Sequence, residues 1–443
     1  MASLTHLVTS TTPQSVIVLG AGPAGLTAAY RSALQGLRVT LVNQSPVIGE
    51  HFRREGDPPL SILGCHHATW ALLRSLGIRF VPPNFAEAAL EFLLPDGRLA
   101  RYPKTRFPTP LHQLLTIGRF AGLSWGERWK LLSWLEQIWE GSLPLATDLE
   151  HRTAEDWIES LDQSQTVVRT IWSPLARWLT GNDLRGLSAD AFVASLKPFF
   201  LSQAADSRIG VPRQPWHGAF VQPITESLKQ HGAALRLGTE AVQFRYEQDR
   251  ITGLLTLDGA VLQADWYVAA VPHHQLTALL PERWLTRYAY FQQIVELTTL
   301  PCTVIQVRTS HRLTAPRHIL MGHGPFPWVA CKPSELDQSL VAVLSLPQDP
   351  SAIDTEQQVS NLLRSLGLLQ PDGRLTGFRQ QEIPHAVLTL SPGTKVRRPI
   401  QRSPIPNLLL AGAWTDTGWP ANLESAIVSG ERCAEIMIGR KHA

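Results

Sequence analysis

Residues 15–43 read SVIVLGAGPAGLTAAYRSALQGLRVTLVN, in which a glycine-rich turn separates an apolar run from an alanine-rich segment. The apolar runs 16–19 and 38–42 are rich in β-branched residues and predict two buried strands. The segment 23–35 between them predicts a helix. The turn at 20–25 has the spacing G-x-G-x-x-G. A strand, this turn, a helix and a second strand within about thirty residues predict a dinucleotide-binding βαβ unit.

Each glycine of the turn has a separate physical role in such a unit. Gly20 permits the tight turn, and Gly22 removes a side chain so that backbone amides can approach a diphosphate. Gly25 lets the helix pack closely on the strand. Pro23 and Ala24 begin the helix, whose N-terminal N–H groups and partial positive charge favour phosphate. These five residues are therefore predicted to bind a nucleotide cofactor.

The end of the second strand departs from the usual pattern. An acidic residue normally accepts hydrogen bonds from the ribose about twenty residues after the glycines, and Asn43 stands there, followed by Gln44. An amide can still bond a ribose hydroxyl, but it has no charge with which to repel a 2′-phosphate. In the next loop, Gly49 is expected to pass the cofactor and Arg53 to neutralise a diphosphate. A solvated basic loop is the alternative for Arg53.

Composition narrows the class of protein. The chain has 443 residues, enough for two or three domains, and its net charge of +3 is spread without a basic block, so nucleic-acid binding has little support. The four cysteines are far apart, which argues against a metal site or a disulfide framework and suits a reducing cytoplasm. No signal peptide and no membrane-spanning helix are expected.

Tryptophan is concentrated in the middle of the chain. Seven of the fourteen tryptophans lie within 125–178. The segment 124–139 predicts a helix that begins with the capping box S-x-x-E and carries Trp125 and Trp129 on one face. This face could pack inside a helical domain or lie in the headgroup layer of a membrane. Peripheral membrane contact would suit an enzyme whose substrate is dissolved in lipid.

Periodicity elsewhere predicts alternating helical and sheet regions. The expected helices are 66–76, 153–160, 166–179, 188–200, 224–231 and 354–366. The expected strands are a hairpin within 85–102 and single strands at 234–238, 241–247, 250–257, 266–271, 302–308 and 340–345. The expected segments are 14–76, 214–272 and 395–440 for the nucleotide-binding domain, 77–213 for a mostly helical region, and 273–394 for a second part of the substrate domain.

A second strand–glycine–helix unit closes the chain. The apolar run 407–411 predicts a strand that ends at Gly412, and 422–437 predicts a helix. A loop of small residues and tryptophans separates them. This unit is expected to place another helix N-terminus against the cofactor.

Several runs carry a family resemblance. They are LGC at 63–65 followed by ATWALLRSLGI, FPTPLH at 107–112, IWSPL at 171–175, and LAGAWT at 410–415 through GWPANLE at 418–424. The chain resembles the FAD-dependent amine oxidase and phytoene desaturase superfamily over almost its whole length. Within it, the chain is similar to the hydroxysqualene dehydroxylases, flavoenzymes of hopanoid and squalene synthesis.

The resemblance implies an α/β fold in which a Rossmann-like FAD-binding domain is interleaved with an α+β substrate domain. The cofactor is then FAD. Gly412 and Ala413 would bind its ribityl side, Leu423 would offer its N–H to the flavin pyrimidine edge, and Val242 would contact the adenine side. Asn43, the run G-E-H at 49–51 and Ala413 differ from the acidic residue, the G-G-R and the aspartate of the family. Weaker or altered FAD binding is therefore expected.

The resemblance also implies a reaction. Reduced flavin would replace the allylic hydroxyl of a C30 isoprenoid with hydride, drawing on an external reductant such as NAD(P)H. The leaving hydroxide needs a proton donor, and Asp416 and His67 are the candidates. A hydrogen-bonded loop aspartate and a helix-capping histidine are the structural alternatives for these two residues.

Two other functions remain open at this level. A carotenoid-type desaturase would use the same flavin in the opposite direction, taking hydride from a polyene precursor. A flavin-poor protein could keep the fold and present a polyprene to a partner synthase. The expected location is the cytoplasm, with peripheral membrane contact.

Overall fold

The structure is a computed structural model that describes residues 14–49, 61–78, 85–104, 107–108, 111–139, 149–213, 215–322, 324–333, 339–345 and 355–439. The strands are β1 Ser15–Leu19, β2 Arg38–Asn43, β3 Ile62–Leu63, β4 Phe85–Glu87, β5 Ala89–Leu93, β6 Leu99–Arg101, β7 Ile209–Pro212, β8 Ala234–Leu237, β9 Ala241–Glu247, β10 Arg250–Thr256, β11 Val261–Leu262, β12 Trp266–Ala269, β13 Thr299–Thr309, β14 Arg317–Met321, β15 Trp328–Pro333, β16 Ser339–Ser345, β17 Leu375–Leu388 and β18 Leu408–Leu410. The helices are α1 Pro23–Leu34, α2 His67–Ser75, α3 Leu111–Arg119, α4 Trp125–Trp139, α5 Ala154–Ser160, α6 Gln165–Val167, α7 Ser173–Thr180, α8 Ala189–Phe200, α9 Gln222–Gln230, α10 His273–Leu279, α11 Glu282–Arg287, α12 Ala289–Val295, α13 Thr355–Ser365, α14 Thr394–Arg397 and α15 Leu423–Met437.

A parallel sheet forms the centre of the nucleotide-binding part. Within the described residues its five strands follow the order β18-β12-β1-β2-β8. Val18 on β1 pairs with Leu41 on one side and Val268 on the other, and all three side chains are buried. The chain order reverses beside β1, and ligands of such sheets bind outside the carboxyl ends of the strands at that place. The predicted βαβ unit is confirmed.

Helices α1 and α15 pack directly on each other through glycine. A Cβ added to Gly430 would lie 2.4 Å from the carbonyl oxygen of Ala24. Arg31 and Glu431 form an ion pair of 2.5 Å across the same contact. Because each helix follows a strand of the parallel sheet, both N-termini lie at its carboxyl edge.

The described residues also form a second, mixed sheet of seven strands. Their order is β17-β13-β16-β15-β14-β5-β6. Strands β13 and β16 and the β5–β6 hairpin agree with the sequence prediction. Strands β14, β15 and β17 were not predicted. Most of β17 is polar and partly exposed because it lies at the sheet edge, so it lacks a clean alternation.

The region between the hairpin and β7 is helical where described, as predicted. The capping box of α4 is present, with Ser124 N–H donating to Glu127 Oε2 at 2.8 Å. The predicted helix 166–179 is not one regular helix, because a π-helical turn at Val168–Trp172 separates α6 from α7. No helix in the described part of the chain combines the length and apolarity needed to cross a membrane.

Candidate functional site

The glycine turn leaves the start of α1 open. Gly20 has φ +104°, and a Cβ there would lie 2.4 Å from the carbonyl oxygen of Ala270. A Cβ added to Gly22 would meet no atom within 4 Å, so this position opens onto free space. Among the described residues no side chain caps the helix at Gly22, and its first turn has no acidic residue. Backbone N–H groups at this helix end can therefore receive an anion.

The three positions that follow Gly22 serve packing. Pro23 occupies the first turn of α1, and Ala24 and Gly25 are buried. A Cβ on Gly25 would lie only 1.9 Å from the carbonyl oxygen of Gly20. The third glycine is therefore required by the turn itself.

Asn43 ties the end of β2 to the glycine turn. Its Oδ1 accepts a hydrogen bond from Ala21 N–H at 3.1 Å, and its Nδ2 donates to the carbonyl of Ser45 at 3.0 Å. A carboxylate could make the first bond but not the second, since it has no donor. The backbone N–H of Thr239 donates to the carbonyl of Asn43 at 2.9 Å, which brings the segment leading to β9 beside this residue.

The other residues predicted near the adenine and diphosphate lie as follows. Gln44 is exposed, and Val242 on β9 is 41% exposed. Gly49 has φ +64°, and a Cβ there would lie 2.6 Å from the side chain of Val221. Arg53 lies outside the described residues, so its role stays a prediction.

A buried guanidinium holds the loop that precedes α15. Arg398 donates hydrogen bonds to the backbone carbonyls of Trp419 at 2.7 Å, Thr415 at 2.6 Å and Ala413 at 3.0 Å. Burial lowers the pKa of Arg398 to about 10. Gly412 N–H in turn donates to a serine hydroxyl of α15 at 2.8 Å. The loop is thus fixed without a carboxylate at position 413.

The start of α15 clamps the start of α2. The Glu424 side chain is 1% exposed and accepts hydrogen bonds from Ala68 N–H at 2.8 Å and from Thr69 N–H at 2.9 Å. The hydroxyl of Thr69 adds a third bond at 2.6 Å. Leu423, the preceding residue, lines the cavity described next. Two consecutive residues therefore have different roles here. Leu423 is the residue predicted to meet the flavin, and Glu424 holds the N-terminus of α2.

A cavity of about 300 Å³ opens between the two helix starts and the second sheet. Its walls combine aromatic rings, aliphatic side chains and a few neutral polar groups. The lining residues are Ser61, Leu63, Cys65, His66, Trp178, Leu179, Ser195, His318, Trp328, Trp419, Pro420, Asn422 and Leu423. None of these described residues is an acid, a lysine or an arginine.

His66 is one of the neutral polar residues in the wall of this cavity. Its imidazole is 4% exposed, and its Nδ1 accepts a hydrogen bond from Leu63 N–H at 3.4 Å. Within the described part of the chain Nε2 has no hydrogen-bond partner. Burial lowers the pKa of His66 to about 3, so the ring is neutral. An accepting Nδ1 places the single ring proton on Nε2.

His318 forms a second neutral group in the wall. Trp328 Nε1–H donates to its Nδ1 at 2.9 Å, so Nε2 carries the proton and donates to Ser61 Oγ at 2.7 Å. The ring is 1% exposed, and burial lowers its pKa to about 3. Trp328 stacks on this imidazole with ring centroids 5.4 Å apart, and Trp178 meets it edge-on.

Neither predicted proton donor is among the cavity-lining residues. The side chain of His67 is 73% exposed, and its Nε2 lies 2.8 Å from Asp206 Oδ1. Asp416 Oδ1 accepts a hydrogen bond from Gly418 N–H at 3.1 Å inside its own loop. The sequence did not identify His66 or His318 as candidate catalytic residues. The predicted helix begins at the adjacent pair His66 and His67, but no feature of the sequence indicates which of the two rings is buried.

A second, smaller cavity of about 90 Å³ lies on the far side of α7 and α8. Its lining is almost wholly apolar. The lining residues are Phe92, Tyr102, Gln113, Thr116, Ile117, Phe120, Leu123, Leu131, Ile171, Trp172, Leu175, Leu196, Phe200 and Leu201. Both helices contribute to both cavities, through Leu175 and Trp178 on α7 and through Leu196 and Ser195 on α8.

The fold and the two helix starts define a dinucleotide-dependent oxidoreductase. Residues 23–438 match the model of the family described as flavin containing amine oxidoreductase, and the chain belongs to that family. FAD is the cofactor, and the residues present fit it. The open space at Gly22 and the uncapped start of α1 suit its diphosphate, and Leu423 lines the cavity where its ring system would lie.

Named relatives match almost the whole of this chain. The chain is 23% identical over 458 residues to the 15-cis-phytoene desaturase of Solanum lycopersicum, covering 97% of this chain and 78% of that one. It is 25% identical over 481 residues to a probable zeta-carotene desaturase of Synechococcus elongatus, covering 96% and 98%. An oxidoreductase from Methanosarcina mazei superposes with a TM-score of 0.73 at 14% identity, covering 95% and 100%. The predicted fold class is confirmed.

Proposed function

We propose that this FAD-dependent oxidoreductase removes the allylic hydroxyl of hydroxysqualene and puts hydrogen in its place, giving squalene for hopanoid or other triterpene synthesis. The observation that carries the proposal is the composition of the 300 Å³ cavity. Its described lining is uncharged and rich in aromatic rings, and it contains the two neutral imidazoles His66 and His318. A long hydrocarbon with one hydroxyl matches that combination.

The same lining argues against two other kinds of substrate. An ammonium group would be desolvated without a carboxylate to pair with, which is unfavourable. In the structure the Nε2–H of His66 is already buried without a partner among the described residues, and a pure hydrocarbon would leave it so, whereas a hydroxyl could accept its hydrogen bond. An alcohol on an isoprenoid chain avoids the first penalty and can supply that acceptor.

Reduced FAD, when bound, supplies hydride to carbon. The C–O bond breaks, its electron pair leaves with oxygen, and a proton completes water while the carbon gains the hydride. The protein must exclude water, align the allylic carbon and donate a hydrogen bond to the departing oxygen. The aromatic walls formed by Trp178, Trp328 and Trp419 serve the first two tasks.

The remaining length of a C30 chain needs further apolar space. The smaller cavity behind α7 and α8 is suited to one end of the chain. Trp125 and Trp129 at the start of α4 are 77% and 71% exposed, and they support peripheral contact with the membrane in which such a substrate is dissolved. The electron supply in this proposal is an external reductant such as NAD(P)H, and the location is the cytoplasmic side of the membrane.

Anaerobic assay of the FAD-loaded protein tests the proposal. Hydroxysqualene in liposomes with dithionite or NAD(P)H is expected to give squalene, measured by gas chromatography and mass spectrometry. Phytoene with an oxidised quinone is the parallel reaction. Phytoene desaturation without any turnover of hydroxysqualene would overturn the proposal.

Carotenoid-type desaturation is the second candidate, because the relatives named as phytoene and zeta-carotene desaturases match 96–97% of this chain. A flavin-poor polyprene-binding protein is a third function, motivated by Asn43 and Ala413. Protein that stays colourless with excess FAD would favour it.

A further inference from the structure

We infer that His66 is a catalytic residue whose Nε2–H donates a hydrogen bond to the hydroxyl oxygen of the substrate as the C–O bond breaks. The inference deepens the proposed function and rests on it. It assigns a role to an imidazole that neither the sequence motifs nor the relatives' names identify.

The first support is the orientation of the ring. Leu63 N–H donates to Nδ1, which leaves Nε2 on the opposite side of the ring as the only proton-bearing nitrogen. His66 lines the cavity, is 4% exposed, and within the described residues has no partner for Nε2. Buried polar groups are almost always hydrogen-bonded in folded proteins. A bound oxygen would supply the missing acceptor.

The second support is the neighbourhood of the ring. Trp419 meets His66 edge-on with ring centroids 5.6 Å apart, and Leu423 lies in the same wall. Because Leu423 is the residue whose N–H is expected at the flavin edge, His66 lies on the side of the cavity where hydride transfer would occur. A donor at this place stabilises the negative charge that develops on oxygen in the transition state.

Glu424 is the positioning residue for this donor. Its carboxylate holds the N–H groups of Ala68 and Thr69, the second and third residues of α2. His66 is the N-cap of the same helix, so the hydrogen bonds of Glu424 also help to fix the position of its ring. The exposed neighbour His67 turns to Asp206 instead.

In the reaction, the C–O bond breaks with both electrons moving to oxygen. The oxygen accepts the Nε2–H hydrogen bond of neutral His66, which keeps its proton, and takes up one proton from solvent to leave as water. The hydride for the new C–H bond would come from reduced FAD, so carbon would be reduced and the cofactor oxidised.

The test uses the FAD-loaded full chain and compares His66→Gln, which keeps a donor, with His66→Phe, which keeps only bulk. Dissociation constants for hydroxysqualene and squalene in detergent micelles are measured by quenching of tryptophan fluorescence. We expect wild type to prefer the alcohol by about tenfold, His66→Phe to lose that preference, and His66→Gln to keep part of it. In His66→Phe, kcat is expected to fall about 10²- to 10³-fold.

Three results would overturn the inference. Equal weakening of alcohol and hydrocarbon binding in both variants would show a packing role only. An unchanged alcohol preference together with a shifted flavin absorption band or potential would place the donor on the cofactor. Loss of the preference in His67→Gln but not at His66 would move the role to His67.

A different set of results would overturn the proposed function. Wild-type protein that binds FAD but neither prefers nor converts hydroxysqualene would overturn both conclusions, whereas wild-type turnover with full preference in His66→Phe would overturn only the role of His66. Glu424→Gln adds a positioning readout. It should lower kcat more than it raises KM, and it should leave the squalene dissociation constant unchanged.

Discussion

Two buried imidazoles contribute to the loss of stability of this protein in acid. Burial lowers the pKa of His66 and His318 to about 3, against about 6.5 in an unfolded chain. The folded state therefore binds fewer protons than the unfolded state between these values. Stability is full above pH 6.5 and falls as the pH is lowered toward 3.

We expect each of the two histidines to remove about 2–3 kcal/mol of unfolding free energy between pH 6.5 and pH 4.5. Urea unfolding at several pH values measures this loss. His318→Gln should reduce the steepness of the pH dependence, because one titrating group is gone. An identical slope in wild type and variant would contradict the assignment of a neutral, buried His318.

Arg398 gives a second test at the residue scale. Its planar guanidinium reaches several carbonyls of one loop, which a lysine ammonium cannot match. Arg398→Lys is expected to weaken FAD binding at least tenfold and to lower the unfolding free energy by about 2–4 kcal/mol. Flavin titration and urea unfolding measure the two effects. Arg402→Lys, at an exposed position nearby in sequence, is the matched control.

The contact of α1 with α15 decides how well the glycine turn is held. Gly430→Ala puts a Cβ 2.4 Å from the carbonyl oxygen of Ala24, so the helices must separate. We expect a loss of about 1–3 kcal/mol in unfolding free energy and weaker FAD binding. Gly118→Ala on α3 is the control, since a Cβ there meets nothing within 4 Å. Equal effects of both substitutions would contradict the role of this contact.

The exposed start of α4 provides the membrane prediction. Trp125→Glu with Trp129→Glu should abolish co-sedimentation with liposomes while the far-ultraviolet circular dichroism stays unchanged, because the apolar contact with the headgroup layer is lost. Leu257→Glu changes an equally exposed apolar side chain on a different turn. Unchanged sedimentation of the double variant would remove α4 from the membrane interface.

At the scale of the whole molecule, the smaller cavity predicts a chain-length preference. Leu196→Phe would fill much of its 90 Å³, so turnover of a C30 alcohol should fall at least tenfold relative to a C15 allylic alcohol. Leu196→Met keeps the volume and should retain the wild-type ratio. The ratio of kcat/KM for the two alcohols is the measurement, and an unchanged ratio in Leu196→Phe would exclude this cavity from the substrate site.

Local signals account for what could be predicted from the sequence. The βαβ unit, the capping box of α4 and the strands β8, β9, β10 and β12 depend on neighbouring residues, and all agree with the structure. The cavity could not be predicted in the same way. Its two imidazoles lie just before α2 and on β14, about 250 residues apart in the chain, and only packing brings them to one wall.

The burial and the hydrogen-bond partners of individual histidines could not be predicted from the sequence either. His66 and His67 are adjacent in the sequence, yet one is buried against Trp419 and the other is mostly exposed beside Asp206. A helix N-terminus turns consecutive side chains in different directions, and the clamp by Glu424 comes from a helix more than 350 residues later. Composition and residue spacing therefore could not predict the contact of Glu424 with α2.

The pairing of the first helix with the last also has a consequence for synthesis on the ribosome. The glycine turn is translated well before α15 and the loop held by Arg398. The nascent chain therefore carries a complete G-x-G-x-x-G signature long before it can retain a flavin. Cofactor loading must follow translation, and a fragment ending before β18 would display the motif while remaining colourless.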